Sequence, residues 1–181
     1  MDKTLTTFKI EGLLQIAIPT FNDDRGFFKE VVRISEIEKI LGSGFSAKQV
    51  NHARSVKNTL RGIHVAPWNK IIYSTRGKVQ VVIVDFRENS PTFGQHESIV
   101  IGDENRSCIF VPAFCGNSYL VLSEDADYIY ITDKEWKANQ EQGIAWNDPD
   151  LKISWMLEGE PLLSEKDKNN PQLSIAFPKN K

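Results

Sequence analysis

The sequence has few of the residues that build disulfide frameworks or metal sites. In 181 residues it carries two cysteines, Cys108 and Cys115, and three histidines, His52, His64 and His96. Two cysteines are too few for a disulfide scaffold, and neither residue type shows the paired spacing of a metal site. We therefore expect buried free thiols, as in a reducing cytoplasm, and no bound metal.

The sequence also lacks a charge excess and long hydrophobic runs. Lysine and arginine number 22 against 24 aspartates and glutamates, a formal net charge of −2 that argues against nucleic-acid binding. No apolar run reaches the length of a membrane span, and the N-terminus has no signal-peptide core. Phosphate-binding glycine loops are also missing. These absences predict a cytoplasmic protein with no membrane and no nucleic-acid partner.

Short strands separated by turn residues make up most of the chain. The strongest pattern is Lys78–Phe86 (KVQVVIVDF), whose apolar residues on both faces predict a central strand. Further strands are predicted at Leu14–Ile18, Phe27–Ile34, Ile71–Ser74, Ser98–Ile101, Cys108–Val111, Ser118–Leu122 and Tyr128–Thr132. The last of these alternates, which puts Tyr128, Tyr130 and Thr132 on one face.

One helix is well signalled, because Ser35 and Glu38 can form a capping box at its start and Gly42 can end it. Short helices or turns are predicted near residues 148–151 and 164–169. The regular spacing of the strands favours an all-β sandwich or barrel with a few short helices.

Two candidate site residues, Arg61 and His64, lie three positions apart in a stretch that looks like a strand. This step puts their side chains on opposite faces, unless Gly62 introduces a bulge. Three other candidates fit ordinary core or surface positions when taken singly: Lys70, Tyr130 and Asp167. The residues alone therefore predict a cytoplasmic all-β domain and do not reach a reaction.

Taken in order, six segments resemble the dTDP-4-dehydrorhamnose 3,5-epimerase family. They run from about Phe21 to Leu173 and are Asp24–Glu30 (DRGFFKE), Gln49–His52 (QVNH), Leu60–His64 (LRGIH), Asp85–Gly94 (DFRENSPTFG), Trp146–Pro149 (WNDP) and Leu163–Asp167 (LSEKD). The resemblance implies a cupin-like jelly-roll β-barrel that dimerises through its sheets. It places one domain over residues 1–181, with the barrel core at about 45–135 and the segment 146–181 packed on it.

The activity implied by the resemblance is isomerisation without a metal or an organic cofactor. The substrate would be a nucleotide-linked 4-keto-6-deoxy sugar, whose C3 and C5 protons flank the C4 ketone and are therefore acidic. His64 matches the family's base, and Asp167 matches the carboxylate that fixes the tautomer of this histidine. Lys70 matches the cation that stabilises the enolate, and Tyr130 matches the acid that returns a proton to the opposite face.

The resemblance also implies eight substrate-binding residues: Arg25, Phe28, Glu30, Gln49, Asn51, Arg61, Asn117 and Trp136. The two arginines would lie near the diphosphate, which suits their forked geometry, and Gln49 and Asn51 would line the same cleft. Phe28 and Glu30 would be offered by the neighbouring subunit of a homodimer. The dimer would then be part of the nucleotide site.

The chain departs from the family pattern in four places around the expected pocket. The loop Val65–Asn69 is shorter than usual, and Ala113-Phe114 replaces a Glu-Gly pair. Asn117 stands where histidine is usual, and Trp136 stands where a second active-site tyrosine is usual. We expect that proton abstraction is kept while substrate choice has moved, with dTDP-4-dehydro-6-deoxy-glucose and a CDP- or GDP-linked analogue both open as the substrate. Loss of the second tyrosine could also restrict inversion to one carbon, C3 or C5.

Two alternatives to epimerisation stay open at this point. One is a 3,4-ketoisomerase, which shares the barrel and moves the ketone. The other is a sugar-nucleotide binding protein without catalysis. The resemblance itself predicts a role in deoxysugar or bacterial surface-polysaccharide biosynthesis, such as that of the lipopolysaccharide O-antigen.

Overall fold

A computed structural model describes residues 4–42 and 44–178 of the chain. Within these ranges the strands are β1 (Thr4–Thr7), β2 (Leu14–Ala17), β3 (Thr20–Asp23), β4 (Gly26–Lys29), β5 (Gln49–Val56), β6 (Leu60–Val65), β7 (Lys70–Arg76), β8 (Lys78–Asp85), β9 (His96–Gly102), β10 (Cys108–Val111), β11 (Cys115–Val121), β12 (Asp125–Thr132) and β13 (Gln142–Gly143). The α-helices are α1 (Ile34–Leu41), α2 (Glu165–Lys168) and α3 (Leu173–Ala176), and Ala138–Gln140 forms a 3-10 helix.

Most of the strands form two facing antiparallel sheets. One sheet has the strand order β1-β2-β10-β7-β12-β5, and the other has the order β13-β6-β11-β8-β9; β3 and β4 form a separate hairpin. Apolar side chains of both sheets meet in one buried cluster, which includes Ile72, Ile83 and Tyr128. The core therefore lies between the sheets, as the burial of alternate strand residues dictates.

The central strand predicted at Lys78–Phe86 is confirmed as β8, which lies between β11 and β9. Its inward residues, such as Ile83, belong to the core between the sheets. Its outward residues, such as Val84, are buried by the C-terminal segment, including Leu151 and Trp155. Both faces of β8 are covered, which explains why its sequence is apolar without alternation.

The predicted helix is present as α1, and it ends at Gly42 in the left-handed conformation. The predicted capping box is wrong, because the N-cap is Arg33 and no side chain caps the helix. Ile34 is already helical and packs with Ile37 on the outer face of the six-stranded sheet. This burial starts the helix one residue before Ser35.

Two further differences concern the N-terminal strands. The strand predicted over Phe27–Ile34 ends at Lys29, because Gly26–Lys29 pairs with Thr20–Asp23 as a hairpin before the chain enters α1. The strand β5 was not among the predicted strands. Its inward residues include the polar Gln49 and Asn51, while its outward residues include exposed valines. This inverted pattern hides the usual strand signal.

Candidate active site

The described part of the chain contains a pocket between the two sheets. Strands β5, β6, β7, β11 and β12 supply most of its walls, and the segment after β12 closes one side. Eight of the predicted site residues line it: Gln49, Asn51, Arg61, His64, Lys70, Asn117, Tyr130 and Trp136. The other lining residues are Ala53, Trp68, Tyr119, Tyr128, Thr132 and Glu141.

A histidine–carboxylate pair stands at the wall formed by β6. His64 Nε2 lies 2.7 Å from Asp167 Oδ1, and the aspartate is only 4% exposed while the histidine is 25% exposed. The carboxylate accepts the Nε2 proton, which leaves Nδ1 as the basic nitrogen of the ring. Burial raises the pKa of Asp167, but hydrogen bonds from His64, Ser164 and the backbone of Gly62 outweigh it and hold the pKa below its ordinary value.

The helix α2 holds this carboxylate in place. Ser164 is the N-cap of α2; its hydroxyl accepts from the backbone N–H of Asp167 and donates to Asp167 Oδ2 at 2.9 Å. Asn170 donates to the other carboxylate oxygen at 3.3 Å. Since both carboxylate oxygens accept hydrogen bonds, Asp167 has a fixed orientation and fixes that of His64.

A bulge in β6 brings Arg61 to the same pocket as His64. Opposite β11, Asn117 pairs with His64 and Tyr119 pairs with Arg61, so three steps on β6 match two steps on β11. Gly62 has a φ of 118°, and a Cβ there would lie 2.7 Å from Ser118 Cβ. Only glycine therefore fits the bulge that sequence reasoning had left open.

Lys70 is the buried cation of the pocket. It begins β7 and is 5% exposed, and it pairs in register with Val111 and Thr132. Burial lowers the pKa of its ammonium from 10.5 to about 8, and the negative charge of Glu141 opposes part of this effect. The side chain is therefore charged at neutral pH but close to losing its proton in mildly alkaline solution.

Three tyrosines line the pocket, and they differ in their hydrogen bonds. Tyr119 hydroxyl lies 3.3 Å from Ser55 Oγ, and Tyr128 hydroxyl accepts from Asn117 Nδ2 at 3.2 Å. Among the described residues, none hydrogen-bonds the hydroxyl of Tyr130. Burial raises the pKa of Tyr130, and Glu141 raises it further, so this phenol keeps its proton. Tyr130 is therefore the pocket tyrosine whose hydroxyl is available to a ligand.

Comparison with known proteins decides the family. The profile of the dTDP-4-dehydrorhamnose 3,5-epimerase family matches residues 7–174. The chain belongs to this family. It is 42% identical to the dTDP-4-dehydrorhamnose 3,5-epimerase of Pseudomonas aeruginosa, over 94% of this chain and 96% of that protein. It is also 35% identical to a dTDP-4-dehydro-6-deoxyglucose 3-epimerase of Streptomyces bikiniensis, over 92% of this chain and 87% of that protein.

Solved structures of the epimerase family share the fold. A Legionella pneumophila 3,5-epimerase in complex with dTDP-4-keto-L-rhamnose superposes with a TM-score of 0.92 at 32% identity, covering 96% of this chain and 94% of that one. The Streptomyces bikiniensis 3'-monoepimerase in complex with dTDP-quinovose gives 0.89 at 34% identity, covering 93% and 87%. The predicted cupin-like jelly-roll barrel is confirmed.

Asp167 is not a lining residue and acts behind His64, and three other predicted residues lie away from the epimerase pocket of one chain. Arg25 lies at the tip of the β3–β4 hairpin, where its pair with Asp23 leaves it 89% exposed. Phe28 in β4 is 71% exposed, and Glu30 pairs with Arg33 at 2.7 Å. None of the three lines the pocket. The place of all three in the nucleotide site stays a prediction, which for Phe28 and Glu30 involves a second subunit.

Sequence reasoning missed one charged residue of the epimerase pocket, Glu141. It forms an ion pair with Lys166 at 2.9 Å. Burial raises the pKa of Glu141, but His64, Lys166 and Lys70 together lower it below its ordinary value. It reaches the pocket because Gly143 in β13 pairs with His64 in β6. No local pattern marks this long-range pairing.

Three departures from the family pattern lie on the pocket wall: Asn117, Trp136 and the shortened loop, which contributes Trp68. Asn117 is 9% exposed and bonds the buried hydroxyl of Tyr128, so an amide supplies this contact without a second imidazole. Trp68 belongs to the shortened loop and is 2% exposed. Asn69 anchors that loop, because its backbone N–H and its side chain both donate to Asp133. No group of three or more potential metal ligands occurs among the described residues.

Proposed function

We propose that this chain epimerises a dTDP-linked 4-keto-6-deoxy sugar at C3, at C5 or at both carbons. The observation that carries the proposal is the His64–Asp167 pair facing a pocket that also holds Lys70 and Tyr130. A base, a cation and a phenolic acid are the three groups needed to move a proton next to a ketone. The relatives named above act on dTDP-linked sugars, which supports the nucleotide.

In this mechanism His64 Nδ1 takes the proton from the carbon beside the ketone. The electron pair of the broken C–H bond moves onto the C4 oxygen as an enolate. Asp167 stabilises the imidazolium that forms, because it already accepts the Nε2 proton at 2.7 Å. The ammonium of Lys70 stabilises the negative charge on the enolate oxygen. This interaction is strong because Lys70 is buried in the pocket wall, away from water.

Inversion is completed when Tyr130 donates its hydroxyl proton to the opposite face of the same carbon. The enolate electrons re-form the ketone, and the new C–H bond has the inverted configuration. Solvent then takes the proton from His64 and returns one to the tyrosinate of Tyr130. The raised pKa of Tyr130 favours this return, because its anion is a strong base in the buried site.

The test is solvent deuterium exchange into dTDP-4-keto-6-deoxyglucose in D2O, followed at C3 and C5 by proton NMR. The wild-type protein is expected to exchange one or both positions. His64→Asn should slow the exchange by roughly 10²–10⁴-fold, the usual contribution of a general base. His96→Asn is the matched control, since His96 lies on β9 and does not line the pocket. Normal exchange in His64→Asn would show that His64 is not the base.

We also propose that two copies pair through the β5 edge of the six-stranded sheet, where its outer face is not covered by α1. This edge carries Val50 and Val56, which are 66% and 58% exposed on β5, and Phe28 of the separate β3–β4 hairpin is 71% exposed. Exposed apolar residues on a strand edge favour pairing with another chain. The second copy would bring its Phe28 and Glu30 to the nucleotide site.

Complementation of two variants tests this shared site. His64→Asn and Glu30→Ala should each be weak alone, but mixed dimers contain one site with both native residues. Mixing the two, after mild dissociation and reassociation, should restore up to a quarter of the wild-type exchange rate, as expected for random pairing. Mixtures no more active than their components would exclude a site shared between subunits.

We further propose that residues 1–181 act as a single domain in the cytoplasm, within deoxysugar or surface-polysaccharide biosynthesis. The single domain is supported by the C-terminal segment, whose Leu151 and Leu173 pack on the barrel. The compartment is supported by Cys108 and Cys115, which are both free and buried. Among the described residues, no helix is long and apolar enough to cross a membrane.

A further inference from the structure

Three hydrogen-bonding groups stand in line along one wall of the pocket. The backbone N–H of Trp136 donates to Gln49 Oε1 at 2.8 Å. Gln49 Nε2 donates to Asn51 Oδ1 at 2.7 Å. Asn51 Nδ2 is buried and has no hydrogen-bond partner among the described residues. Gln49 and Asn51 are two apart on β5, so their side chains share its inward face.

The line has a fixed direction. A backbone N–H can only donate, so the Gln49 amide must turn its oxygen toward Trp136 and its nitrogen toward Asn51. Asn51 must then accept with its oxygen, which leaves its nitrogen as the group without a protein partner at the pocket wall. Without this line, either amide could rotate by half a turn at little cost.

The nitrogen of Asn51, at the end of this line, can donate to an acceptor on the ligand. A buried N–H group without a partner costs about 1–3 kcal/mol, so an oxygen that accepts from Asn51 Nδ2 regains this free energy. Asn51 is directly opposite Tyr130 in the β5–β12 ladder, and both residues line the pocket. Directly opposed side chains begin about 5 Å apart. The acceptor therefore lies at the end of the ligand that Tyr130 serves.

We propose that Gln49 is a positioning residue that acts through Asn51. It holds the Asn51 amide as a donor to an oxygen of the sugar, and it ties that donor to the segment bearing Trp136. Both heteroatoms of Gln49 are engaged within the protein, so its contribution is orientation and not a ligand contact of its own. This inference rests on the proposed function, because it takes the ligand to be a nucleotide sugar.

A double-mutant cycle tests the inference. Asn51→Ala and Gln49→Met, which keeps the side-chain length but removes its hydrogen bonds, should each lower kcat/KM about tenfold, the loss of about one hydrogen bond. The double variant should be no worse than Asn51→Ala, because Gln49 has nothing left to orient. A double variant about 100-fold down would mean that Gln49 contacts the ligand independently, and the inference would be wrong.

The Gln49→Glu variant tests the direction of this line by reversing it. A carboxylate accepts from the Trp136 N–H but cannot donate to Asn51, so Asn51 must turn its nitrogen inward and present its oxygen to the sugar. We expect this variant to bind the ligand more weakly than Gln49→Met, since the Asn51 oxygen would then face the acceptor oxygen of the ligand. Equal affinities for the two variants would contradict a directed line. Thermal melting of each variant checks that it is folded.

Calorimetric titration with dTDP-glucose separates this inference from the proposed function. This ligand has no ketone, so it measures binding without proton transfer. If wild-type protein binds it but exchanges no deuterium into the keto sugar, the proposed epimerisation fails, while the cycle can still be measured on binding affinities. If binding losses in Gln49→Met and Asn51→Ala multiply in the double variant, the positioning role fails while epimerisation stands.

Discussion

Lys70 offers a quantitative test of how the pocket is built. Its ammonium is 5% exposed, and burial lowers its pKa from 10.5 to about 8 despite the opposing charge of Glu141. This change corresponds to about 3 kcal/mol of free energy spent on keeping Lys70 charged inside the folded protein at neutral pH. The protein tolerates that cost at the position where we propose a cation for the enolate.

Lys70→Met should therefore make the protein more stable and nearly inactive. Methionine fills a similar volume without a charge, so the free energy of unfolding at pH 7 should rise by up to about 3 kcal/mol. For a chain of this size that is a rise of roughly 6–12 °C in Tm. The deuterium exchange rate should fall by roughly 10²–10³-fold, as when one oxyanion-stabilising group is lost.

The pH dependence follows from the lowered pKa of Lys70. Below about pH 8 the residue is charged in both the folded and unfolded states, and the full cost is present. Between about pH 8 and 10.5 the folded state loses the proton first, so the wild type gains stability relative to Lys70→Met as the pH rises. Activity should fall over the same alkaline range, because the neutral amine no longer stabilises the enolate.

Lys70→Arg is the matched control, because a guanidinium keeps its charge throughout this range. Any activity that it retains should lack the alkaline fall. The measurements are thermal melts and exchange rates from pH 6.5 to 10 at constant ionic strength. Wild-type exchange that stays flat to pH 9.5, or a Lys70→Met protein less stable than the wild type at pH 7, would refute the reasoning.

Three other substitutions probe the support of the site and of the barrel. Ser164→Ala removes the cap and the bond to Asp167 Oδ2, so kcat should fall about tenfold with KM unchanged, and stability should fall by about 1 kcal/mol in denaturant titrations. Gly62→Ala forces a Cβ to 2.7 Å from Ser118 Cβ at a positive φ, so its thermal melt should show the Tm lowered or the fold lost. Asp85→Asn replaces a fully buried carboxylate that pairs with Arg87 by an uncharged amide. Urea unfolding should show that the free energy of unfolding falls by about 3–5 kcal/mol.

The apolar strands were predictable because their side chains are buried in ordinary alternation or on both faces. Lys78–Phe86 and Cys108–Val111 are of this kind. The edge strand β5 was not predictable, since its inward face carries polar residues for the pocket and its outward face carries Val50 and Val56. A strand that serves a site on one side and an exposed edge on the other contradicts the hydrophobic pattern that identifies strands.

The site itself divides in the same way. Resemblance to the family named His64, Lys70 and Tyr130, and the structure brings all three to one pocket. Glu141 carried no signal, because it precedes a two-residue strand whose pairing with β6 spans nearly 80 positions of sequence. The bulge at Gly62 could be predicted only in part. A glycine at this position permits a bulge, but the register of β6 against β11 shows that one is present.

The departures from the family pattern limit the number of bases and acids in the pocket that can transfer a proton. Asn117 supplies a hydrogen bond to Tyr128 where a histidine is usual, so His64 is the one imidazole among the described pocket residues. Trp136 has no hydroxyl, and the hydroxyls of Tyr119 and Tyr128 are held by Ser55 and Asn117, so Tyr130 is the pocket phenol without a partner among the described residues and the acid that we propose.

A single base and a single acid can invert one carbon per binding orientation. Inverting both C3 and C5 would require the sugar ring to move between the same two groups. Deuterium should therefore enter one carbon well before the other, and a protein limited to one orientation would label that carbon alone. Equal initial rates at C3 and C5 would show that a second base–acid pair operates in the pocket.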